Sequence, residues 1–284
     1  MSTTTTTTTA KAPVVDRIPL KWVIQDAMAM TWRNLLKYVR IPTLLVFSTI
    51  QPVMFVILFA YVFGGALGSQ LPPLVDYKDY LMAGIFVQTV IFGSTQTGVA
   101  LAEDLTRGMI DRFRSLPMAR SAVLAGRTTG DTIRNMFVVL LMTGVGYLIG
   151  FRFHGGFLWA ILAILLAVAF GAAFSWISAN IGLRVRDVES AQAASFVWVF
   201  PLVFASSAFV PVATMPSWLQ GFAEHQPITV VIDAVRYLVL GTERAQLVGL
   251  EGSMWSHLLP AILWIAAILV VFVPLAVRKY RRIT

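Results

Sequence analysis

EDLTRGMIDRFRSLPMARSAVLAGR, residues 103–127, is a charged island between two long apolar runs. Residues 80–102 before it and 135–151 after it hold no charged side chain, whereas the island carries five arginines. One side of it is apolar. In a helix over 106–116, Met109, Ile110, Phe113 and Leu116 fall at i, i+1, i+4 and i+7 on one face, with Arg107, Asp111 and Arg114 elsewhere. Glu103 reaches Arg107 at i+4 in the favourable order. Pro117 stops the helix, because it has no N–H and biases Leu116 away from the α region. A short amphipathic helix between two membrane spans either lies on the bilayer or docks into another protein. The rest of the chain decides which.

Of the 284 residues, 57% are hydrophobic and only 13% charged, with a mean hydropathy of +0.76. A soluble domain carries about a quarter charged residues. The deficit, with uncharged runs longer than about 18 residues, predicts an all-α integral membrane protein. The absence of cysteine excludes disulfides, thiolate metal sites and cysteine nucleophiles. Residues 1–19 form a Thr-rich tail, read as disordered, with no basic segment leading an apolar core as a secretory signal would have. Residues 20–40 follow as an amphipathic helix. Leu20, Val23, Ile24, Ala27, Met28, Thr31, Leu35 and Tyr38 recur at helical spacing and suit a helix in the headgroup region.

Residues 41–284 divide into six expected spans: 41–64, 80–102, about 128–150, 157–181, about 191–210 and 258–277, with Pro52 and Pro201 inside the first and fifth. Each suffices for a hydrocarbon core of about 30 Å at about 1.5 Å per residue. With the N-terminus inside, cytoplasmic segments hold 18 of the 22 lysines and arginines: six in 1–40, six in 107–134, Arg184, Arg186 and four in 278–282. Lys78, Arg152, Arg236 and Arg244 remain outside. That bias predicts both termini in the cytoplasm and accounts for the pI near 10.1 without nucleic acid. Residues 214–241 are too polar to span and too apolar for a loose loop. They read as an outer re-entrant hairpin: one helix at Pro216 with Trp218, a second opened by Pro227 and stopped by Gly241. Asp233 and Arg236 stand at i and i+3 on its polar face; if they pair, exchanging the two charges should restore part of what either reversal disrupts.

No catalytic constellation is visible. His154, His225 and His257 are far apart without ligand spacing, and there is no P-loop, so neither a metal site nor ATP binding is expected of this chain. Asp131 and Arg134 start the third span, where they pair at i, i+3 if at all. The spans otherwise hold almost no charge, which leaves ion-driven transport little to work with. Gln88 and Gln96 lie two turns apart with Phe92 between them. They form either a weakly polar wall of an amphiphile pathway or ordinary interhelical hydrogen bonds. Phe196, Phe200 and Phe204 read the same two ways, as path or as packing.

Three stretches, FAYVFGGAL at 59–67, RGMIDRFRSLPMAR at 107–120 and MPSWLQGFAEHQPITVVIDAVRYLVLG at 215–241, resemble the membrane subunits of ABC-2-type exporters, in particular the daunorubicin-resistance (DrrB-like) permeases. The resemblance covers most of the chain from about residue 31 to 282. It implies the type V exporter fold: six spans, an N-terminal connecting helix, a cytoplasmic coupling helix at about 104–117 and the outer hairpin. It also implies a separate ABC ATPase that binds ATP and Mg, a second permease (identical copy or paralogue), and a substrate that is an amphiphilic drug or a lipid. The setting it implies is a bacterial plasma membrane. One departure is Gln226 before Pro227, where related permeases commonly have Asn, the better N-cap. In the island, Ile110, Phe113 and Leu116 would then fill an apolar groove on the ATPase and Arg107, Asp111, Arg112 and Arg114 would set its electrostatic match, with Glu103 and Pro117 in the same coupling segment. The competing reading, from another class, is a membrane scaffold that recruits cytoplasmic proteins through the same island without transporting anything.

Overall fold

The computed structural model describes residues 20–109, 120–185 and 187–282. Among them every regular element is helical. The Thr-rich tail and the middle of the island, from Ile110 to Ala119, lie outside the described residues.

Helix α1 (Leu20–Arg40) is packed onto the rest of the domain. Its Thr31 and Asn34 side chains donate to the Gly126 carbonyl at 3.2 and 3.3 Å. A methyl on Gly126 would meet Met30 Cβ at 2.5 Å, so only hydrogen lets the two backbones approach. Trp22, Met28, Trp32 and Val39 stay exposed on the side away from this contact. Helix α2 (Thr43–Ile57) runs through Pro52 into a π-helical turn at Leu58–Val62, followed by the short α3 (Gly64–Gly68).

Helix α4 (Tyr77–Thr106) is the axis. Asp76 caps it, accepting from the Lys78 N–H at 2.9 Å. The chain leaves it through Gly108, whose φ of 64° breaks the continuous helix expected from residue 106. Of its most apolar stretch 83% is buried, against 17% for Leu45–Val62 and for Met254–Tyr280, so the other helices are arranged around it. Around α4 stand α5 (Arg120–Leu148), α6 (Phe157–Gly182), α7 (Val188–Phe204), α8 (Ser217–His225), α9 (Pro227–Leu247) and α10 (Met254–Arg282). Gly241, at φ 75° and ψ 166°, is non-helical and closes the first of the two helical segments that make up α9: the stop expected there is present, and a second short segment begins just beyond it.

Among the described residues four helical stretches are long and apolar enough to cross a membrane: Leu45–Val62, Tyr77–Thr106, Phe157–Gly182 and Met254–Tyr280. The fifth expected span is the shorter apolar α7, of 17 residues. The third falls in α5, which has the length but carries Arg127, Asp131 and Arg134 in its first half. One end of the bundle gathers Lys37, Glu103, Arg107 and Arg127 and is its basic end. The other holds Asp79, Arg152, His154 and Arg244 and is the far end.

Helices α4 and α6 meet backbone to backbone. A Cβ on Gly98 would strike the Ser178 carbonyl, and one on Gly182 would strike the carbonyl of Gly98. Small residues at 171, 175, 178 and 182 give α6 the smooth stripe that such backbone contact needs. Gly98→Leu is therefore expected to destabilise the protein by about 2 kcal/mol or more, as overpacking against backbone does. A thermal-unfolding midpoint of the detergent-solubilised variant equal to that of the wild type would refute this joint.

Candidate functional site

On α5, Arg127, Asp131, Arg134 and Asn135 recur at i, i+4, i+7 and i+8, so one helix face carries all four into the interior. Asp131, 1% exposed, is surrounded by donors. Thr97 of α4 donates to its Oδ2 at 2.6 Å, Tyr38 of α1 donates to Oδ1 at 3.2 Å, and Arg127 Nε stands 3.5 Å from Oδ2. Burial, and then the Asp131 charge, hold the Tyr38 phenol above its ordinary pKa, which keeps it a donor. The pair expected between Asp131 and Arg134 does not form. Arg127 takes the carboxylate, because i, i+4 on this face brings them side by side, while Arg134 turns toward α4. There it donates to the Gly93 carbonyl and, at 3.0 Å, to Asn135 Oδ1.

Beside this network lies a cavity of about 560 Å³ between α1, α2, α4 and α5. Its walls mix Asn34, Lys37, Gln96, Glu103, Arg127, Arg134 and Asn135 with Ile41, Phe47, Phe92, Val99 and Val138. Of the six residues read as a pathway, Phe92 and Gln96 line it. Gln88 does not: it is buried higher on α4 with no hydrogen-bond partner for its Oε1. Phe196 packs on Phe92 at 5.8 Å, and Phe200 stacks on Phe204 at 4.3 Å on the half-exposed surface of α7. The six therefore do not form one wall.

In the island, Glu103 bonds Arg107 at 2.6 Å, as the i, i+4 spacing predicts, and reaches Lys37 of α1 at 3.6 Å. Arg127 approaches Asp104 at 4.0 Å. The base of the island is thus tied to α1 and α5. Ile110, Asp111, Arg112, Phe113, Arg114, Leu116 and Pro117 lie outside the described residues.

At the far end the hairpin is bolted to α4 by Arg236, which is 2% exposed rather than on a solvated face. Its guanidinium lies 3.6 Å from the centroid of Tyr80. It pairs with Asp233 at 2.8 Å, and donates to the carbonyls of Tyr80 and Ser207 and to Ser207 Oγ. Gln226 leaves the start of α9 uncapped and instead donates its amide to the Ala205 carbonyl. Pro227 sits at the first turn of α9, and Trp218 of α8 is 79% exposed.

A second far-end cluster went unseen in the sequence. Asp79 accepts from the Arg152 N–H at 3.0 Å, contacts His154 Nε2 at 2.6 Å and has Arg244 at 3.7 Å. It joins α4 to the α5–α6 loop and to the last turns of α9. No spacing rule links 79, 154 and 244, whereas the face formed by 127, 131, 134 and 135 was there to be read. Among the described residues no group of three or more His, Asp or Glu side chains is placed to hold a metal ion.

The structure is that of a multi-pass helical membrane domain with an interior, partly polar cavity at its basic end. The chain belongs to the ABC-2 type transporter family, whose model matches residues 25–240. It is 36% identical over 261 residues to the daunorubicin resistance ABC transporter permease protein DrrB1 of Streptomyces coeruleorubidus, covering 91% of this chain and 87% of that protein. It is 27% identical over 263 residues to the "Probable doxorubicin resistance ABC transporter permease protein DrrC" of Mycobacterium tuberculosis, covering 91% and 89%.

The environment of Arg236 makes a prediction that differs from simple charge pairing. Three of its acceptors are oxygens other than Asp233, so a carboxylate at 236 would face lone pairs. Arg236→Asp is expected to cost about 3–5 kcal/mol, and adding Asp233→Arg is expected to restore little. A double variant that regains the wild-type unfolding midpoint would show that the ion pair alone holds the hairpin.

Proposed function

We propose that this chain is the membrane half of an ATP-driven exporter of amphiphilic drugs or lipids, with ATP and Mg held by a separate ABC ATPase. In this reading the chain crosses a bacterial plasma membrane six times with both termini inside, and α5 and α7 complete the spans. The basic end is cytoplasmic, in keeping with the 18 of 22 lysines and arginines assigned there. Two such permeases, identical or paralogous, flank the path.

The observation that carries the reading is α4. One unbroken helix of 30 residues starts at the far end against Tyr80–Arg236 and ends at Glu103–Arg107, at the base of the island. A helix bonded along its length transmits a displacement at one end to the other, so an ATPase pressing on the island would move the hairpin and the cavity wall together. In the island, Ile110, Phe113 and Leu116 would fill an apolar groove on the ATPase, with Arg107, Asp111, Arg112 and Arg114 matching its charge. Family membership supports the same partner. The relatives' names supply the drug class, and the mixed lining of the cavity suits an amphiphile.

Phe113→Asp tests the coupling. Expected is normal insertion and ATPase binding of nucleotide, with export of doxorubicin from cells co-expressing the ATPase reduced at least tenfold. Full export by this variant would remove the island from the coupling path. If no ATPase co-purifies from native membranes, the scaffold reading takes its place.

A further inference from the structure

We infer that the cavity between α1, α2, α4 and α5 is a binding site for an amphiphile with an anionic head group, seated against Arg134. The inference goes beyond the export reading and does not need it: the ligand is an anionic lipid held in the cavity, distinct from the cationic doxorubicin whose export reads the coupling. Arg134 is 5% exposed and lines the cavity. Through Gly93 it sits halfway along α4, at a depth where an arginine is costly unless compensated.

The compensation available within the protein is incomplete. Lys37 and Arg107 share Glu103, and Arg127 has Asp131 and Asp104. Among the described residues no carboxylate lies within ion-pair distance of Arg134. Its contacts are the Gly93 carbonyl, Asn135 Oδ1 at 3.0 Å, the Tyr38 hydroxyl at 3.4 Å and the Tyr38 ring at 5.7 Å. All are neutral. Its Nε is buried without a hydrogen-bond partner, and so is the hydroxyl of Thr89 on the same cavity wall. A buried guanidinium with neutral neighbours and an idle N–H is half of an ion pair.

The rest of the lining says what carries the other half. Ile41, Phe47, Phe92, Val99 and Val138 would contact an apolar body, and Phe47, 72% exposed, puts the opening on the outer side of α2. A phosphate or carboxylate alone would leave those walls bare, and an uncharged or cationic amphiphile would leave Arg134 unpaired. A lipid phosphate and a free anion share the head-group chemistry, and the test separates them.

The purified full-length protein in neutral detergent is photolabelled with diazirine-bearing phosphatidylglycerol or with phosphatidylcholine of the same chains, in the presence or absence of inorganic phosphate. Expected is at least tenfold more labelling by phosphatidylglycerol, mapped to residues 41–52 and 89–103 and unaffected by millimolar phosphate. Arg134→Gln should reduce it at least tenfold, and Arg134→Lys should keep most of it. Equal labelling by the two lipids, or full labelling of Arg134→Gln, would overturn the inference; so would displacement by phosphate alone, which marks a free-anion site. If Arg134→Gln fails to fold, the wild-type map decides: label on the exposed face of α10 in place of the cavity walls counts against the site. Loss of this binding result leaves the exporter reading to Phe113→Asp, and loss of export leaves the lipid site standing.

Discussion

The interior of this protein is organised by how closely α4 lies against α6. At Gly98 and Gly182 the two backbones touch, with no room for a side chain between them. In a bilayer, where lipid is as apolar as leucine, dispersion contacts of this kind hold helices together in place of the hydrophobic effect. The approach fixes α4 in the interior. Once it is there, its two ends become the places where charged residues of other helices can find partners away from lipid.

The two arginines buried among the described residues show what such placement must satisfy. Arg236 meets a carboxylate, an aromatic face and three further oxygens, so its charge is neutralised and its donors are used. It fastens the hairpin. Arg134 stands at comparable burial with neutral oxygens only and one donor idle. Since unpaired buried charge is among the most unfavourable arrangements in a protein, the difference separates a structural bolt from a site that awaits a ligand. Sequence spacing alone would treat both as arginines beside an aspartate three residues away.

That limit defines what could be read in advance. The helices, the amphipathic α1, the Glu103–Arg107 bond and the two-part hairpin follow from periodicity, proline and glycine, which act within a few residues. The polar face at 127, 131, 134 and 135 obeys the same local rule, yet its partners do not. Thr97 and Tyr38 converge on Asp131 from other helices, and Asp79 meets His154 and Arg244 across the whole chain. Gln88, Phe92 and Gln96 lie on a single helix, but what each meets depends on neighbours that the spacing does not encode. The packing of α4 then buries Gln88 and leaves Gln96 in a cavity.

The contrast between α4 and α2 bears on how such a domain could move. Helix α4 is buried, unbroken and fastened at both ends. Helix α2, which forms the outer wall of the cavity, is mostly exposed and passes into a π-helical turn at Leu58–Val62. A π turn shifts the hydrogen-bond register and is a common device where a helix must reshape at a functional site. Phe55 and Phe59, on either side of its start, stack on Phe209 at 5.7 and 4.1 Å, so this joint is held by aromatic faces that can slide rather than by charges that would have to separate. Displacement of α4 and the elements bolted to it relative to α2 would therefore change the cavity without exposing a buried ion pair. The wall lined by Phe47 is where the least is lost by opening.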